Sequence, residues 1–170
     1  DRWTLKGGLR YTTDEKDFAA DRPSGPTPTI RPIVETTDAN QVTWDLSAVH
    51  EVTDSANVYG RLATGFSAPS IRGRIGFGPS DTAGGTDPET DCVSVADAEK
   101  ITSFEIGLKT DVSSKLRLNA DVYTYEMTDQ QLVAVGGQAN IATLINADKT
   151  KGYGFEASLD FAPSQYWLIT

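Results

Sequence analysis

Residues 100–126 read Lys-Ile-Thr-Ser-Phe-Glu-Ile-Gly-Leu-Lys-Thr-Asp-Val-Ser-Ser-Lys-Leu-Arg-Leu-Asn-Ala-Asp-Val-Tyr-Thr-Tyr-Glu, and this stretch decides the predicted fold. Apolar and polar residues alternate on both sides of the break at 111–114, and a period of two is typical of strands with one apolar and one polar face. The short Ser-rich break predicts an antiparallel hairpin. Because the polar positions carry full charges of both signs, the pattern favours a wall between hydrocarbon and water.

The same alternation recurs along the chain, and no stretch shows helical periodicity. Further strands are predicted at 2–12, 41–52, 57–66, 141–161 and 166–170, and the pattern of the second hairpin strand is predicted to continue through 131–135. The span from Tyr153 to Phe161 matches the ~9–11 residues that a tilted strand needs to cross hydrocarbon. The predicted fold class is therefore all-β: an antiparallel transmembrane β-barrel segment, about seven strands of a larger up-and-down barrel.

Short and long connections alternate between the predicted strands. Short turns are expected at 53–56, 112–114 and 163–165, long external loops at about 13–40 and 67–99, and a glycine-marked bend at 136–140. The first long loop contains four prolines, which lack the N–H that a strand ladder needs. Short turns at one rim and long loops at the other are typical of an outer-membrane barrel, so residues 1–170 are expected to form part of one barrel domain.

Composition excludes several classes of function. The chain has 170 residues, a net charge of −9 and a pI near 4.5, so no basic stripe is available to neutralise nucleic-acid phosphates. The sequence contains no run of about 18 apolar residues, so no transmembrane helix is predicted. His50 is the one histidine, which leaves no His pair for a zinc site and no base for a serine nucleophile. No enzyme, cofactor or metal site is predicted, and Cys92 is either a free thiol or paired with a cysteine outside these residues.

Several motifs together resemble the barrel of TonB-dependent outer-membrane receptors. They are Tyr59-Gly-Arg-Leu-Ala-Thr-Gly-Phe-Ser-Ala-Pro-Ser70, Phe104-Glu-Ile-Gly-Leu-Lys109, Leu118-Asn-Ala-Asp-Val-Tyr123, Asp129-Gln-Gln131, Asn146-Ala147 and Gly154-Phe-Glu156. Their order and spacing cover nearly the whole chain. One departure is Ser67, where the family usually has Arg.

The resemblance implies a location in the Gram-negative outer membrane and active import of a scarce nutrient. It implies three partners: outer-membrane lipid, a small nutrient ligand, and a TonB-type energising protein. The plug domain and the TonB box that such a protein engages are expected in sequence outside these 170 residues. The ligand class stays open between iron chelates, cobalamin, saccharides and aromatic compounds.

Candidate residues fall into two groups. Charged residues on the polar phase of the strands are expected to face the barrel lumen and to pair across the wall or with a plug rather than contact ligand; they are Arg61, Glu105, Lys109, Arg117, Asp121 and Glu156. Ligand contacts are expected in the external loops, with Arg72, Arg74, Asp81 and Asp87 as candidates. The carboxylates of loop 67–99 lack the spacing of a calcium loop.

Two other interpretations remain open at this point. A passive porin would share the alternation but would need no plug and no energy input. A soluble β-sandwich binding module would bury the apolar faces against a second sheet and leave the charged faces in water.

Overall fold

The structure is a computed structural model that describes residues 2–21, 32–76, 92–136 and 141–170. These residues form nine strands: β1 Trp3–Ala20, β2 Ile33–Thr53, β3 Ala56–Ser67, β4 Ser70–Gly76, β5 Cys92–Ala96, β6 Glu99–Ser113, β7 Leu116–Gly136, β8 Ile141–Ser164 and β9 Trp167–Ile169. Over the described ranges, no helix is long and apolar enough to cross a membrane.

Seven of these strands form one antiparallel sheet in the order β1-β2-β3-β6-β7-β8-β9, so the predicted strand number and pairing are confirmed. The strands β1 and β9 are the two edges of this sheet, which is an open arc. The strands β4 and β5 pair with each other and form a separate two-stranded sheet, the β4–β5 hairpin. This hairpin lies in the chain between β3 and β6, which are neighbours in the large sheet.

The short turns lie at one end of the large sheet, within two residues of their predicted positions. They occupy residues 54–55, 114–115 and 165–166. Backbone hydrogen bonds connect neighbouring turns: Asp111 N–H donates to Ser55 O at 2.7 Å, and Ala162 N–H donates to Lys115 O at 2.8 Å. Because the strands alternate in direction, the β1–β2, β3–β6 and β7–β8 connections all leave from the opposite end, here called the long-loop end.

The prediction of a loop at 13–40 is wrong over most of that range. Strand β1 continues to Ala20 and β2 begins at Ile33, and the two pair without a break from Thr13↔Asn40 to Ala20↔Ile33. The side chains at 13–17 and 35–38 are polar on both faces, so the apolar alternation is lost there although the backbone ladder continues. A ladder needs only N–H and C=O groups, and the prolines all fall at 23–32, close to the actual connection.

The loop predicted at 67–99 is also partly wrong, because it contains β4 and β5. Both strands carry a short alternation in the sequence, Ile71 and Ile75 in β4 and Val93 and Val95 in β5. Residues 77–91 of this loop lie outside the described residues, as do 137–140 of the glycine-marked bend, whose flanking strands end at Gly136 and begin at Ile141.

The strand register gives the large sheet one continuous apolar face. A single row of partners runs Gly7↔Leu46↔Leu62↔Phe104↔Thr124↔Tyr153 across six strands. Side chains on this apolar face are highly exposed, with 79% for Leu9, 88% for Tyr153 and 80% for Phe155. Such a face is not stable in water and requires an apolar neighbour.

The apolar band crosses the hydrogen-bonded rows at a slant. On β8 the apolar band ends at Tyr153, and the next residue of that face toward the long-loop end is Lys151. On β1 the same row falls at Gly7, and the band continues toward the long-loop end as far as Tyr11. Four residues of slip over five strand steps correspond to ~13 Å along the strands and ~24 Å across them. The resulting tilt of about 30° is near the range of strands in transmembrane barrels.

Candidate functional site: the polar face and the β4–β5 hairpin

The register places all six charged residues that were predicted to face the lumen on the face opposite the apolar one, here called the polar face. Arg61 lies opposite Glu105, Lys109 opposite Asn119, and Asp121 opposite Glu156. Arg117 belongs to the same phase of β7 and lies opposite Asp160. These side chains therefore share one surface.

Tyr59 organises the charges in the middle of the polar face. Its hydroxyl donates to Glu105 Oε1 at 2.6 Å, and Lys109 Nζ lies 5.2 Å from the centre of its ring, within the range of a cation–π contact. Near the short turns, Arg117 Nε donates to Asp111 Oδ1 at 2.7 Å. Sequence reasoning missed Tyr59 because its partners come from β6 and become neighbours only through the register.

Asp121 and Glu156 are directly opposed on neighbouring strands. Like charges in this arrangement destabilise a sheet. In the same row lie Gly107 and Tyr59, and the ammonium group of Lys109 over the Tyr59 ring is one positive charge beside two carboxylates. This part of the polar face therefore favours the approach of a cation or a basic side chain from above the sheet.

Three tyrosines lie across glycines of the neighbouring strand on the polar face. A Cβ atom placed on Gly107 would be 2.5 Å from the ring of Tyr59, and one on Gly154 would be 2.6 Å from the hydroxyl of Tyr123. Tyr125 covers Gly152 in the same way. Each aromatic ring fills the space above a residue without a side chain, which protects the backbone there and fixes the register.

The β4–β5 hairpin is held to the polar face by hydrogen bonds that converge on Gln131. Its amide Nε2 donates to Ala68 O at 2.8 Å and to Asp97 O at 3.0 Å, and its Oε1 accepts from Ser70 Oγ at 2.6 Å. Its backbone N–H donates to Glu99 Oε2 at 2.8 Å. One side chain of β7 thus binds both chain segments that lead into and out of the hairpin.

Asn146, the partner of Gln131 on β8, completes this attachment. Its Oδ1 accepts from Asp97 N–H at 2.8 Å, and its Nδ2 donates to Asp97 O at 3.1 Å and to Asp129 O at 2.6 Å. Asp129 has a φ of 55°, which lies in the left-handed region. Leu144 N–H also donates to Ser94 Oγ at 3.0 Å, so β5 is tied directly to β8.

The other flank of the hairpin contacts β1. Lys16 Nζ donates to Pro69 O at 2.8 Å, and Gly73 lies against the ring of Phe18. The strands β1 and β7 are each two strands away from β3, ~10 Å to either side in a flat sheet. The adjacent residues Pro69 and Ser70 thus bridge β1 and β7 above the polar face at the long-loop end.

A small core lies at the hairpin. Among the residues that the structure describes, the buried hydrophobic side chains are Ile33, Val93 and Ala96. Thr37 is also buried, and it lies on the same face of β2 as Ile33. Ile33 and Thr37 lie on the polar phase of β2, in its extension toward the long-loop end. The hairpin is therefore a packed element and not a free loop.

The residues predicted to contact ligand separate into three cases. Arg72 lies in β4 and is half-buried, and its Nε has no partner within the described part of the chain; the same holds for Thr37 Oγ1. The backbone of Arg74 belongs to β4. Asp81 and Asp87 lie outside the described residues. The structure thus places Arg72 on the hairpin that covers the polar face, at the long-loop end.

Cys92 pairs with Gly76 through the backbone of the β4–β5 hairpin. His50 lies near the short turns, where its ring stacks on Trp3 with centroids 4.3 Å apart and its Nδ1 is 3.2 Å from Arg2 O. No group of three or more His, Cys, Asp or Glu residues suited to a metal ion occurs in the described ranges.

A family model described as "TonB dependent receptor-like, beta-barrel" matches residues 1–170. No match is found among curated proteins. Among solved structures, the chain is similar to the ferric yersiniabactin uptake receptor FyuA from Yersinia pestis, with a TM-score of 0.72 and 22% identity. That alignment covers 96% of this chain and 22% of the receptor.

Two further solved structures share the fold. The copper transporter OprC has a TM-score of 0.72 and 20% identity, with 97% of this chain and 25% of that one covered. The ferric-catecholate import receptor Fiu from K12 E. coli has a TM-score of 0.63 and 20% identity, with 96% and 24% covered. The chain therefore spans about a quarter of the length of the proteins that it resembles.

Proposed function

Because the chain belongs to the TonB-dependent receptor β-barrel family, whose members lie in the outer membrane of Gram-negative bacteria, we propose that it forms part of an active importer of a scarce nutrient. The observation that carries this proposal is the pair of faces on one tilted sheet, one apolar and one charged. In the proposed barrel the apolar face would meet lipid and the polar face would meet the lumen. The function is transport, and no catalytic step is part of it.

The position of the hairpin supports the assignment of the polar face to the lumen. A barrel wall is concave toward its interior, and the start of the hairpin bridges Lys16 of β1 and Gln131 of β7 on the polar side, as it would across a concave surface. The opposed Asp121 and Glu156 would then meet basic side chains of a plug domain. A plug that fills the lumen distinguishes this proposal from a passive porin.

The β4–β5 hairpin is the proposed ligand-capture element. It lies at the long-loop end, which is the external end of such barrels, and it carries the cationic side chain of Arg72, whose buried Nε has no partner among the described residues. A fixed hairpin above the lumen suits recognition, since binding residues are often carried by connections on a rigid scaffold. FyuA, Fiu and OprC are named for ferric yersiniabactin, ferric catecholate and copper, so metal chelates are the first compounds to screen.

The decisive experiment compares surface binding with uptake of labelled ferric chelates in cells that carry the intact receptor. A protonophore should abolish uptake and leave binding unchanged, because the energy of import would come from a TonB-type partner. Uptake that continues at the same rate in de-energised cells would instead indicate a passive porin.

A single substitution tests the role of the hairpin in binding. Arg72→Gln should weaken chelate binding roughly tenfold or more, as expected when a charge-assisted hydrogen bond is removed. Arg61→Gln, a matched change on β3, should leave binding within twofold. Equal affinities of wild type and Arg72→Gln would remove Arg72 from the site.

A further inference from the structure

The β4–β5 hairpin continues the ladder of β3 and β6 after a short interruption. The pairing of β3 with β6 ends at Ser67↔Glu99, and that of β4 with β5 begins at Ser70↔Ala96 in the same register. Pro69 lies in the interruption and has no N–H for a ladder bond. At this point the two-stranded ribbon turns over the polar face, where hydrogen bonds to β1 and β7 hold its start. The ribbon therefore leaves the line of the wall.

A gap in the wall results, because the strands on either side continue. The strand β2 separates from β3 after the pair Asp45↔Ala63 but stays paired with β1 up to Ile33. On the other side, the pairing of β7 with β6 ends at Thr128, while its pairing with β8 continues to Gly136. We call this gap between β2 and β7 the notch. The two strands are three strand spacings apart, ~14 Å in a flat sheet, so the notch has room for extended strands and not for a folded domain.

The edge of β2 that faces the notch carries backbone groups without backbone partners in the described ranges. Trp44 N–H donates to Thr64 Oγ1 of β3 at 2.9 Å, so the even-numbered residues of β2 direct their backbone groups toward this edge. The side chains of Thr64 and Gln41 satisfy the carbonyl groups of Trp44 and Val42. Further along the edge, the N–H and C=O groups have no backbone partner among the described residues at four positions, Val34, Thr36, Asp38 and Asn40. An unpaired edge of this kind is a template for another strand.

The charge around this edge selects the kind of strand that it takes. The paired residues 12–20 and 33–43 carry one lysine and five carboxylates, Asp14, Glu15, Asp17, Glu35 and Asp38. Glu15 and Asp38 lie directly opposite each other on the outer face, which continues the apolar phase of β2, and like charges in this arrangement destabilise a pair of strands. A strand added beside β2 places every second side chain on that face, next to Asp38. Basic residues at alternate positions are therefore favoured.

We propose that the notch binds a short cationic peptide as an added antiparallel strand along the edge of β2. Four alternate residues of the peptide lie opposite Val34, Thr36, Asp38 and Asn40 and exchange backbone hydrogen bonds with them. Directly opposed residues point to the same face, so these four residues share the outer face with Asp38 and are lysines or arginines. The residues between them point to the polar face. This partner is distinct from the chelate proposed as cargo, and its binding needs no energised transport.

Fluorescence anisotropy with the intact receptor in non-ionic detergent tests the added strand. The probe is a labelled seven-residue peptide in which four lysines alternate with three valines. Methylation of the lysine backbone nitrogens should weaken binding roughly tenfold or more, because their N–H groups face β2. Methylation of the valine backbone nitrogens, which point away from β2, should change affinity less than about threefold. Replacing the lysines with glutamates should abolish binding.

Two receptor variants test the same edge from the protein side. Thr36→Pro removes an N–H that faces the notch and keeps the pairing with β1, since proline is tolerated where the N–H of an edge strand faces solvent; it should weaken peptide binding roughly tenfold. Thr36→Ala loses the same side-chain hydrogen bond to Asp17 and keeps the N–H, so its affinity should stay within about twofold of wild type. Heat-dependent gel mobility shows whether both barrels are folded.

Four results would each overturn the proposal: equal affinity of the two Thr36 variants, equal affinity of the two methylated peptides, binding of the glutamate peptide as tight as that of the lysine peptide, or no binding of the lysine peptide by wild type. The last result would leave the notch to the β4–β5 hairpin itself. Because neither chelates nor uptake are measured, the outcome is independent of the proposed transport function.

Discussion

On the apolar face of the large sheet, side chains such as Tyr153 and Phe155 are almost fully exposed, whereas on the polar face tyrosines cover glycines and carboxylates accept hydrogen bonds. The two faces belong to the same strands and differ only in which alternate residue points to them. The polar face is completed by its own neighbouring strands and by the β4–β5 hairpin. The apolar face has no such partner within the described residues, and in the proposed membrane placement lipid would cover it.

The largest effect on stability is expected when the same charged residue is placed on the apolar face and, at the adjacent position, on the polar face. Leu118→Arg places a cation within the apolar band and should lower the free energy of unfolding by about 2–4 kcal/mol, the cost of a cation at the midplane of such barrels. Asn119→Arg, one residue further on the polar face, should cost less than about 1 kcal/mol, since it loses one exposed hydrogen bond to Ser158 Oγ. Guanidinium titration of the intact receptor in lipid vesicles measures both.

Spectroscopy at the same two positions separates the barrel from a soluble sandwich. A nitroxide probe at position 118 should report hydrocarbon and one at position 119 should report water. Two probes in the same environment would contradict the assignment of the two faces.

A smaller effect is expected from glycines on the two faces. Gly154→Ala should cost about 1–2 kcal/mol, because the new methyl group meets the hydroxyl and ring of Tyr123 and the ring must move. Gly60→Ala on the apolar face, where the nearest atom is Glu105 O at 3.8 Å, should be neutral or slightly stabilising. In a Tyr123→Ala background the cost of Gly154→Ala should largely disappear. Additive effects of these two substitutions would show that the pair is not coupled.

The smallest expected effect concerns the charge over Tyr59. Lys109→Gln should cost about 0.5 kcal/mol in unfolding free energy, the usual value of an exposed cation–π contact. The cost should persist with Tyr59→Phe, which keeps the ring, and vanish with Tyr59→Leu. A cost that is the same in all three backgrounds would assign the effect of Lys109 to other neighbours.

The sequence predicted those parts of the fold that side-chain polarity encodes. Alternation from Phe104 to Val122 placed the central hairpin, and the Ser-rich breaks placed the turns. The prediction failed where backbone hydrogen bonds extend the strands without an apolar alternation, as in the paired residues of β1 and β2 beyond Tyr11 and Val42. The β4–β5 hairpin had a weak signal in Ile71 and Val93, which the abundant glycine and charge around it obscured.

The candidate site was less predictable, because it depends on contacts between distant residues. The alternation along each strand showed which residues carry the charges, so the shared face of Arg61, Glu105 and Asp121 could be predicted from the period of two. The roles of Gln131 and Asn146 were not readable, since their partners at Ala68 and Asp97 lie 63 and 49 residues away. Whether Arg72 binds ligand stays a prediction.

The β4–β5 hairpin also has a consequence for how the chain reaches its folded state. Three of the six neighbouring pairs in the large sheet are joined by short turns and can pair locally, but β3 and β6 are separated by the whole segment between Ser67 and Glu99. Pairing of Ser70 with Ala96 brings the ends of that segment together, so the later pairing of β3 with β6 closes a much shorter loop. By the logarithmic dependence of loop closure on length, this shortcut lowers the entropic cost by about 1–1.5 kcal/mol. We therefore expect the small hairpin to form early and to speed the step at which the two halves of the sheet join.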